Sequence, residues 1–305
     1  MRSVKLCFLL LFNLAAHNLY SQYYGENNFS YQAGIGIGMM NSITDLGGAS
    51  QETTTYLNEI QRKNWNFSPS IYAGIMFRDF VGVHLQGTIG MVEAADSTIT
   101  GKTGNLISKN IRNLSFRSRI AEIALTAELH PLTAVNFEIF PYFSPYVIGG
   151  IGFFSFNPQA QYQGRWIDLQ PLRLEGQGFD EYPDRKVYNL TGFNLQFGIG
   201  VRYDISNFLN ARVEFLHRKL STDYLDDAST KEYINPNLFS KYLSPQQAAL
   251  ARALYNRTKD GSIPIFRGNV RENDAYMTLS VKLGFSLARQ DAGSRSRNRQ
   301  LKCFF

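Results

Sequence analysis

The residues of this chain that could do chemistry are three separated histidines, one acidic pentad and two glutamates on a strand-like stretch. His84, His130 and His217 have no neighbouring cysteine and no metal-ligand spacing, so they read as structural. His217 with Ser221 and Asp223 is the one grouping that offers the residue types of a nucleophilic site. His217, however, falls on the apolar parity of its segment, which counts against catalysis. Asp223-Tyr224-Leu225-Asp226-Asp227 could offer carboxylate oxygens to calcium, but it lacks the spaced ligands and central glycine of a dedicated loop. It reads as a solvated loop start. Glu122 and Glu128 share a parity, which puts both carboxylates on one face of an extended segment. No cofactor or metal is expected, and the chain reads as non-enzymatic.

The element that positions the two glutamates is the stretch 112–129. Ile123, Leu125, Ala127 and Leu129 alternate there with Glu122, Thr126 and Glu128. One face is oily and the other carries acids. Such a strand either faces water or lines a polar lumen with its apolar side in lipid.

The chain as a whole narrows that choice. Arg2 and Lys5 precede an apolar run from Leu6 to Phe12, and Leu19-Tyr20-Ser21 ends in a small residue, so residues 1–21 read as a secretory signal peptide cut before Gln22. Cys7 lies inside that leader, which leaves Cys303 alone in the mature chain with no internal disulfide to form. Loss of Arg2 and Lys5 also lowers the formal charge of +6, and nothing suggests nucleic-acid binding. Past the leader no apolar run approaches the roughly 18 residues of a membrane helix.

Eight segments carry a period of two: residues 31–40, 70–78, 81–92, 112–129, 145–154, 189–204, 209–220 and 275–287. The cleanest is the sixth, with Phe193, Leu195, Phe197, Ile199, Val201 and Tyr203 against Asn194, Gln196, Gly198, Gly200, Arg202 and Asp204. The fifth is apolar on both parities, so its faces stay open. Connections run long, short, long, medium, long, short, long, as in an up-and-down barrel with long outer loops and short periplasmic turns. Ser244 and Pro245 open a short helix in the longest loop, expected to reach Tyr255 and to pack across the outer mouth. Thr44-Asp45-Leu46-Gly47-Gly48 reads as a turn with glycine at positive φ.

Alternation alone fits a soluble barrel equally well. The polar face decides: it is mostly Gly, Gln, Thr, Ser and Asn, where a soluble outer surface would carry Lys and Glu at many positions. Aromatics near segment ends, Tyr31, Phe77, Phe193, Tyr203 and Phe285, suit an interface girdle. The expected architecture is therefore an all-β, eight-stranded antiparallel transmembrane barrel over residues 22–288, in the outer membrane with lipid as its partner. An interior of that size holds side chains and no solute channel. Its charges must then neutralise one another, with Glu122, Glu128, Asp204 and Glu214 set against Arg202, Arg212, Arg218 and Lys282.

Several stretches carry a family likeness. Thr44-Asp45-Leu46-Gly47-Gly48, Arg112-Asn113-Leu114-Ser115-Phe116-Arg117-Ser118, Leu169-Gln170-Pro171-Leu172, Glu175-Gly176-Gln177-Gly178 and Asp223-Tyr224-Leu225-Asp226-Asp227 resemble the outer-membrane barrel family related to PorG. The resemblance spans most of the mature chain. It implies a structural or assembly component of type IX protein secretion, with periplasmic proteins of that machinery as partners. A second function from another class is a surface-ligand or small-molecule binding barrel working through outer-loop residues such as Arg165, Trp166 and Tyr182. The tail 289–305 is basic and matches no part of the family pattern. Anionic headgroups or a periplasmic protein are its expected contacts.

If the lumen charges form one network, Glu214→Ala should lower the heat resistance of the barrel on a gel far more than the loop change Glu52→Ala. An uncompensated buried charge typically costs about 3 to 5 kcal/mol, and equal effects would remove the network.

Overall fold

The computed structural model describes residues 29–46, 64–98, 111–134, 142–258, 263–264, 266–268 and 273–287. The leader, the basic tail and Gly47-Gly48 lie outside the described residues. The strands are β1 (Phe29–Ile43), β2 (Asn66–Phe77), β3 (Val81–Ala95), β4 (Ser115–Leu129), β5 (Phe143–Tyr162), β6 (Arg165–Asp168), β7 (Thr191–Asp204), β8 (Leu209–Leu220) and β9 (Ala275–Leu287). The short helices are α1 (Pro131–Ala134), α2 (Phe239–Tyr242) and α3 (Pro245–Tyr255).

Eight of these strands close on themselves. Each pairs antiparallel with its neighbour, β4 meets β5 from Arg117↔Gln159 to Leu129↔Val147, and β1 meets β9 from Tyr31↔Leu287 to Ile43↔Ala275. Closure leaves no strand edge with unpaired backbone groups, the condition for a sheet in hydrocarbon. β6 is an extra strand that folds back on the overhanging end of β5, with Gln159↔Asp168 and Tyr162↔Arg165 in register.

Because side chains alternate along each strand, the apolar parity faces out and the polar parity faces in. Ile35, Ile71, Ile123, Leu195 and Ile199 are 61 to 65 % exposed, while Gln32, Glu122, Gln196 and Arg212 are almost fully buried. A continuous outward belt of exposed Ile, Leu, Val and Phe around a polar interior is the inverse of a soluble fold, and it fits a barrel set in lipid. No described helix is long and apolar enough to cross a membrane. It is an integral outer-membrane barrel. Tyr31, Phe77, Phe193, Tyr203 and Phe285 all face outward and are exposed.

The structure resolves the ambiguity of the fifth segment and lengthens it. Tyr146, Ile148, Phe154 and Phe156 are buried, whereas Val147, Ile151 and Phe153 are exposed, so the even positions point inward there too. β5 continues to Tyr162, eight residues beyond the expected end at Phe154, because β6 supplies its overhang with partners. Other expected ends shift by two to four residues: β1 runs from Phe29 to Ile43, β2 begins at Asn66, β3 runs on to Ala95, β4 begins at Ser115 where Arg112 was expected, β5 begins at Phe143 and β7 begins at Thr191.

At the end with short turns, Arg78 and Asp79 both adopt left-handed φ (53° and 55°), and Phe80 N–H closes the turn on the Phe77 carbonyl at 2.9 Å. Two left-handed residues match the right-handed twist of a tight hairpin. At the other end the described parts of the third and fourth long loops fold into a cap. α3 starts with a capping box at Ser244 and Gln247 and has Pro245 at its first turn. Its buried Ala248, Ala251, Leu254 and Tyr255 join Leu172, Leu174, Phe179, Ile234 and Phe239 in a separate apolar core. A second core, with Met40, Val92, Phe116, Ile120, Phe154, Phe156 and Tyr276, plugs the barrel beneath that cap.

Glycines admit the large side chains of the lumen. A Cβ at Gly34 would lie 2.5 Å from the Tyr72 ring, and one at Gly284 would collide with the Tyr72 hydroxyl, so the two glycines form the slot that ring occupies. Gly149 faces outward with nothing within 4 Å. Gly34→Val should therefore abolish the compact, heat-modifiable gel band, since overpacking costs about 1 to 3 kcal/mol or more. Gly149→Val should keep it. Retention of the band in both variants would show that the Tyr72 slot has room to adapt.

Candidate functional site

The polar interior consists of four ion-pair levels stacked along the barrel. Nearest the short turns, Arg202 Nε lies 3.3 Å from Asp204 Oδ1, and its Nη2 lies 3.5 Å from Asp79 Oδ1. Above them Arg212 Nη1 donates to both oxygens of Glu128 at 2.9 Å, Nε donates to Asn210 (3.1 Å), and Nη2 donates to Gln32. The Arg212 guanidinium also lies over the rings of Tyr72 and Tyr146, at 5.2 and 5.7 Å. At the third level Lys282 Nζ bridges Glu214 Oε1 (2.5 Å) and Gln86 Oε1 (2.7 Å), while the Tyr146 hydroxyl donates to Glu214 Oε2 (3.3 Å). At the fourth, Arg218 Nε spans both oxygens of Glu122 (2.9 and 3.0 Å), and Tyr276 and Asn194 donate to the same carboxylate (2.5 and 2.7 Å).

Every sequence-selected lumen charge thus lies against one of opposite sign. Arg202 and Asp204 share β7. The other partners sit on different strands, and some are on opposite walls: Glu122 and Glu128 belong to β4, Arg212 and Arg218 to β8. Sequence reasoning missed that Glu128 also holds two histidines. His84 Nδ1 is 3.3 Å from its Oε1 and His130 Nε2 is 3.4 Å from its Oε2. No spacing rule could have linked His84 to Glu128, because they meet only through the β3–β4 register.

His130 Nδ1 lies 2.8 Å from Ser144 Oγ, so a chain of serine, histidine and glutamate runs at the short-turn end. Both oxygens of Glu128 are already taken by the Arg212 guanidinium, and the His130 ring is stacked on Tyr146 at 4.7 Å. The arrangement fixes the imidazole in place and leaves Glu128 little capacity to raise its basicity. His217, expected to meet lipid, takes the outward parity of β8 yet is only 3 % exposed, covered in part by Phe197 with ring centres 4.5 Å apart.

The stretches that carry the family likeness meet in one place, at the junction of barrel and cap. Arg112, fully buried, clamps Asp96 through Nε (2.7 Å) and Nη2 (2.8 Å), and it donates to the carbonyls of Asp45 (3.0 Å) and Arg267. Arg267 lies 3.2 Å from Glu175 and 3.5 Å from Asp227. Glu175 accepts the backbone N–H groups of Ser229 and Thr230, and Asp227 accepts the Tyr188 hydroxyl at 2.7 Å. Asp226 accepts Ala228 N–H (2.9 Å) and, from the first loop, Leu46 N–H (3.2 Å). Asn113 takes a left-handed φ of 52° and donates to the Arg257 carbonyl, while Ser115 Oγ accepts from Arg257 Nη1. Gln170 donates to the Tyr188 carbonyl, Pro171 sits in the 3-10 turn beside it, and Gly176 takes a φ of 75° under the Tyr182 ring.

This corrects the reading of the acidic pentad. Asp226 and Asp227 are 1 % and 0 % exposed and form part of the buried knot, where a solvated loop start was expected. Burial pushes the Asp227 carboxyl up to about 6 against the pull of Arg267, Glu175 up to about 7 and the half-buried Asp223 up to about 9. Burial raises Asp226 and Asp274 as well. Among the described residues no group of His, Cys, Asp or Glu is arranged to hold a metal ion.

Arg117 points away from the knot. It faces outward, donates to Gln159 Oε1 at 3.0 Å and lies 3.7 Å over the Trp166 ring. Arg165 and Trp166 belong to the β5–β6 hairpin, whereas Tyr182 belongs to the cap, where Arg185 lies over its ring at 4.5 Å. The three loop residues therefore have different partners and do not converge on a single site.

The chain matches no protein-family model, and no curated protein is similar to it in sequence. Among solved structures it overlays Neisserial surface protein A at 11 % identity and a TM-score of 0.38, covering 86 % of this chain and 99 % of that one. A major outer membrane protein from Thermus thermophilus overlays at 11 % identity and a TM-score of 0.35, covering 85 % and 99 %. Ail, the attachment invasion locus protein of Yersinia pestis, overlays at 8 % identity and 0.33, covering 85 % and 97 %. Likeness at this level carries no residue correspondence, and the barrel assignment rests on the closed strand register described above.

Proposed function

We propose that this chain is a non-enzymatic structural or assembly component of protein secretion, of the PorG-like, type IX kind. The observation that carries the reading is the convergence of the family-like stretches on one buried knot. Asp45, Arg112, Glu175, Asp226 and Asp227 are distant in sequence and spend their polar atoms on holding the cap to the barrel. Residues used this way suit a scaffold. The filled lumen supports the same reading, because four ion-pair levels and an apolar plug leave the barrel no solute path to offer. Under this reading residues 1–21 direct export, residues 22–288 form the barrel, and the periplasmic end with the tail 289–305 meets the proteins of the machinery.

A second reading, ligand binding through the outer loops, draws support from a groove on the cap lined by Phe179, Tyr182, Arg185 and Lys186. The two readings separate in a deletion strain. A machinery component predicts that type IX cargo accumulates inside the cell and that the tagged barrel co-purifies with periplasmic proteins. Normal cargo export in the deletion strain would leave the ligand-binding reading.

The knot also predicts a pH response. The Asp227, Glu175 and Asp223 carboxyls titrate higher in the folded cap than the unfolded value of about 4, so their protonation stabilises the cap, and that stability falls as pH rises through about 6 to about 9. Hydrogen exchange over residues 225–234, corrected for intrinsic rate, should therefore quicken between about pH 5 and about pH 9 while the barrel strands stay protected. Exchange that is flat over this range, or slowed, would mean that the carboxyls are ionised throughout.

A further inference from the structure

We propose that Arg117 and Arg119, on the outward face of β4, bind a phosphate group of an outer-leaflet lipid. Below them the outward positions of the strand are Ala121, Ile123, Leu125, Ala127 and Leu129, all apolar. From Leu129 to Ala121 the strand rises about 27 Å. At a tilt of about 40° this is about 20 Å along the barrel axis, close to the roughly 25 Å of an apolar band. Arg119 is the next outward residue and Arg117 the one after. They therefore stand at the height where hydrocarbon gives way to headgroups, on the side of the long loops.

Their surroundings favour an anion. Arg119 is exposed and lies between Met91 of β3 and Asn157 of β5 in the register, with no ion pair to it among the described residues. Arg117 is held with its guanidinium 3.7 Å over the Trp166 ring and Nε on Gln159, which leaves its two terminal nitrogens for an outside acceptor. The side chains sit about 7 Å apart on one face, a spacing that two arginines can close around one phosphate. Two acids share this face. Asp168 is occupied by Asn157 and Gln159 at 2.9 and 2.7 Å, and Glu93 stands opposite Arg117 on β3. Glu93 sets the polarity of the site: it opposes Arg117 on one side and leaves Arg119 as the open cation. Trp166 supplies an amphipathic ring at the interface, where such rings settle.

The occupant is a lipid headgroup and not a free ion, because the site opens sideways from the wall above the apolar belt and its floor is the belt itself. The test is lipid retention in native mass spectrometry. The purified full-length barrel in a zwitterionic detergent is offered a bisphosphorylated glucosamine-disaccharide lipid, phosphatidylcholine, or millimolar inorganic phosphate. The wild type should retain the phosphorylated glycolipid in preference to phosphatidylcholine, and inorganic phosphate should not displace it. Removal of both charges in Arg117→Gln/Arg119→Gln should weaken retention about tenfold or more. Arg119→Lys should keep most of the affinity, and the cap variant Lys241→Gln should match the wild type. The heat-modifiable gel shift reports folding for each protein, and Arg119→Gln alone serves if the double variant does not fold. Equal retention by wild type and glutamine variants, equal retention of phosphatidylcholine, or displacement by inorganic phosphate would overturn the proposal.

Discussion

In hydrocarbon an unpaired backbone group costs several kcal/mol, so a sheet that enters lipid must close. The rest of this structure depends on that constraint. Closure of eight strands turns every polar parity toward one narrow axis and every apolar parity toward lipid. It also crowds the inward side chains, which is why glycines line the slot for Tyr72 and why the acids and bases of the lumen stand within hydrogen-bond reach of one another. A buried charge without a partner would destabilise the barrel, and none of the eight selected lumen charges is in that position.

Lumen and cap solve the same electrostatic problem differently. In the lumen each cation lies against an acid, and tyrosine hydroxyls and an amide add further hydrogen bonds to the Glu122 and Glu214 carboxylates. In the cap the acids outnumber the two buried arginines, so Asp226, Asp274 and Glu175 lean on backbone N–H groups from the loops they anchor. Those bonds tie the described loop segments to one another. The cap has its own apolar core around α3, and its seam with the barrel is polar, so its attachment depends on protonation while the barrel itself is held by closure.

Much of this was legible in the sequence because strand alternation is a local property. Glu122, Glu128, Arg212 and Arg218 declare their side by position alone, and the unequal connections declare which end is outer. β5 was not legible, since Phe154 and Phe156 on the inward side and Val147 and Ile151 on the outward side are all apolar. Its inward aromatics belong to the plug, and a plug is apolar in the same way that a lipid face is. The extension of β5 to Tyr162 also went unseen, because its polar residues resemble a loop until β6 pairs with them.

By itself the sequence determined the outward belt, the polar lumen and the set of charges that must meet there, since each follows from residue type and a period of two. Tertiary structure alone decided which charges meet. Glu122 lies against Arg218, and Glu128 against Arg212, His84 and His130, because strand stagger and closure bring separated strands to the same height. The fate of the acidic pentad was decided there as well. Asp226 and Asp227 have the composition of a solvated turn, and only the packing of segments from separate loops, with Arg112 and Arg267 between them, turned them into a buried joint.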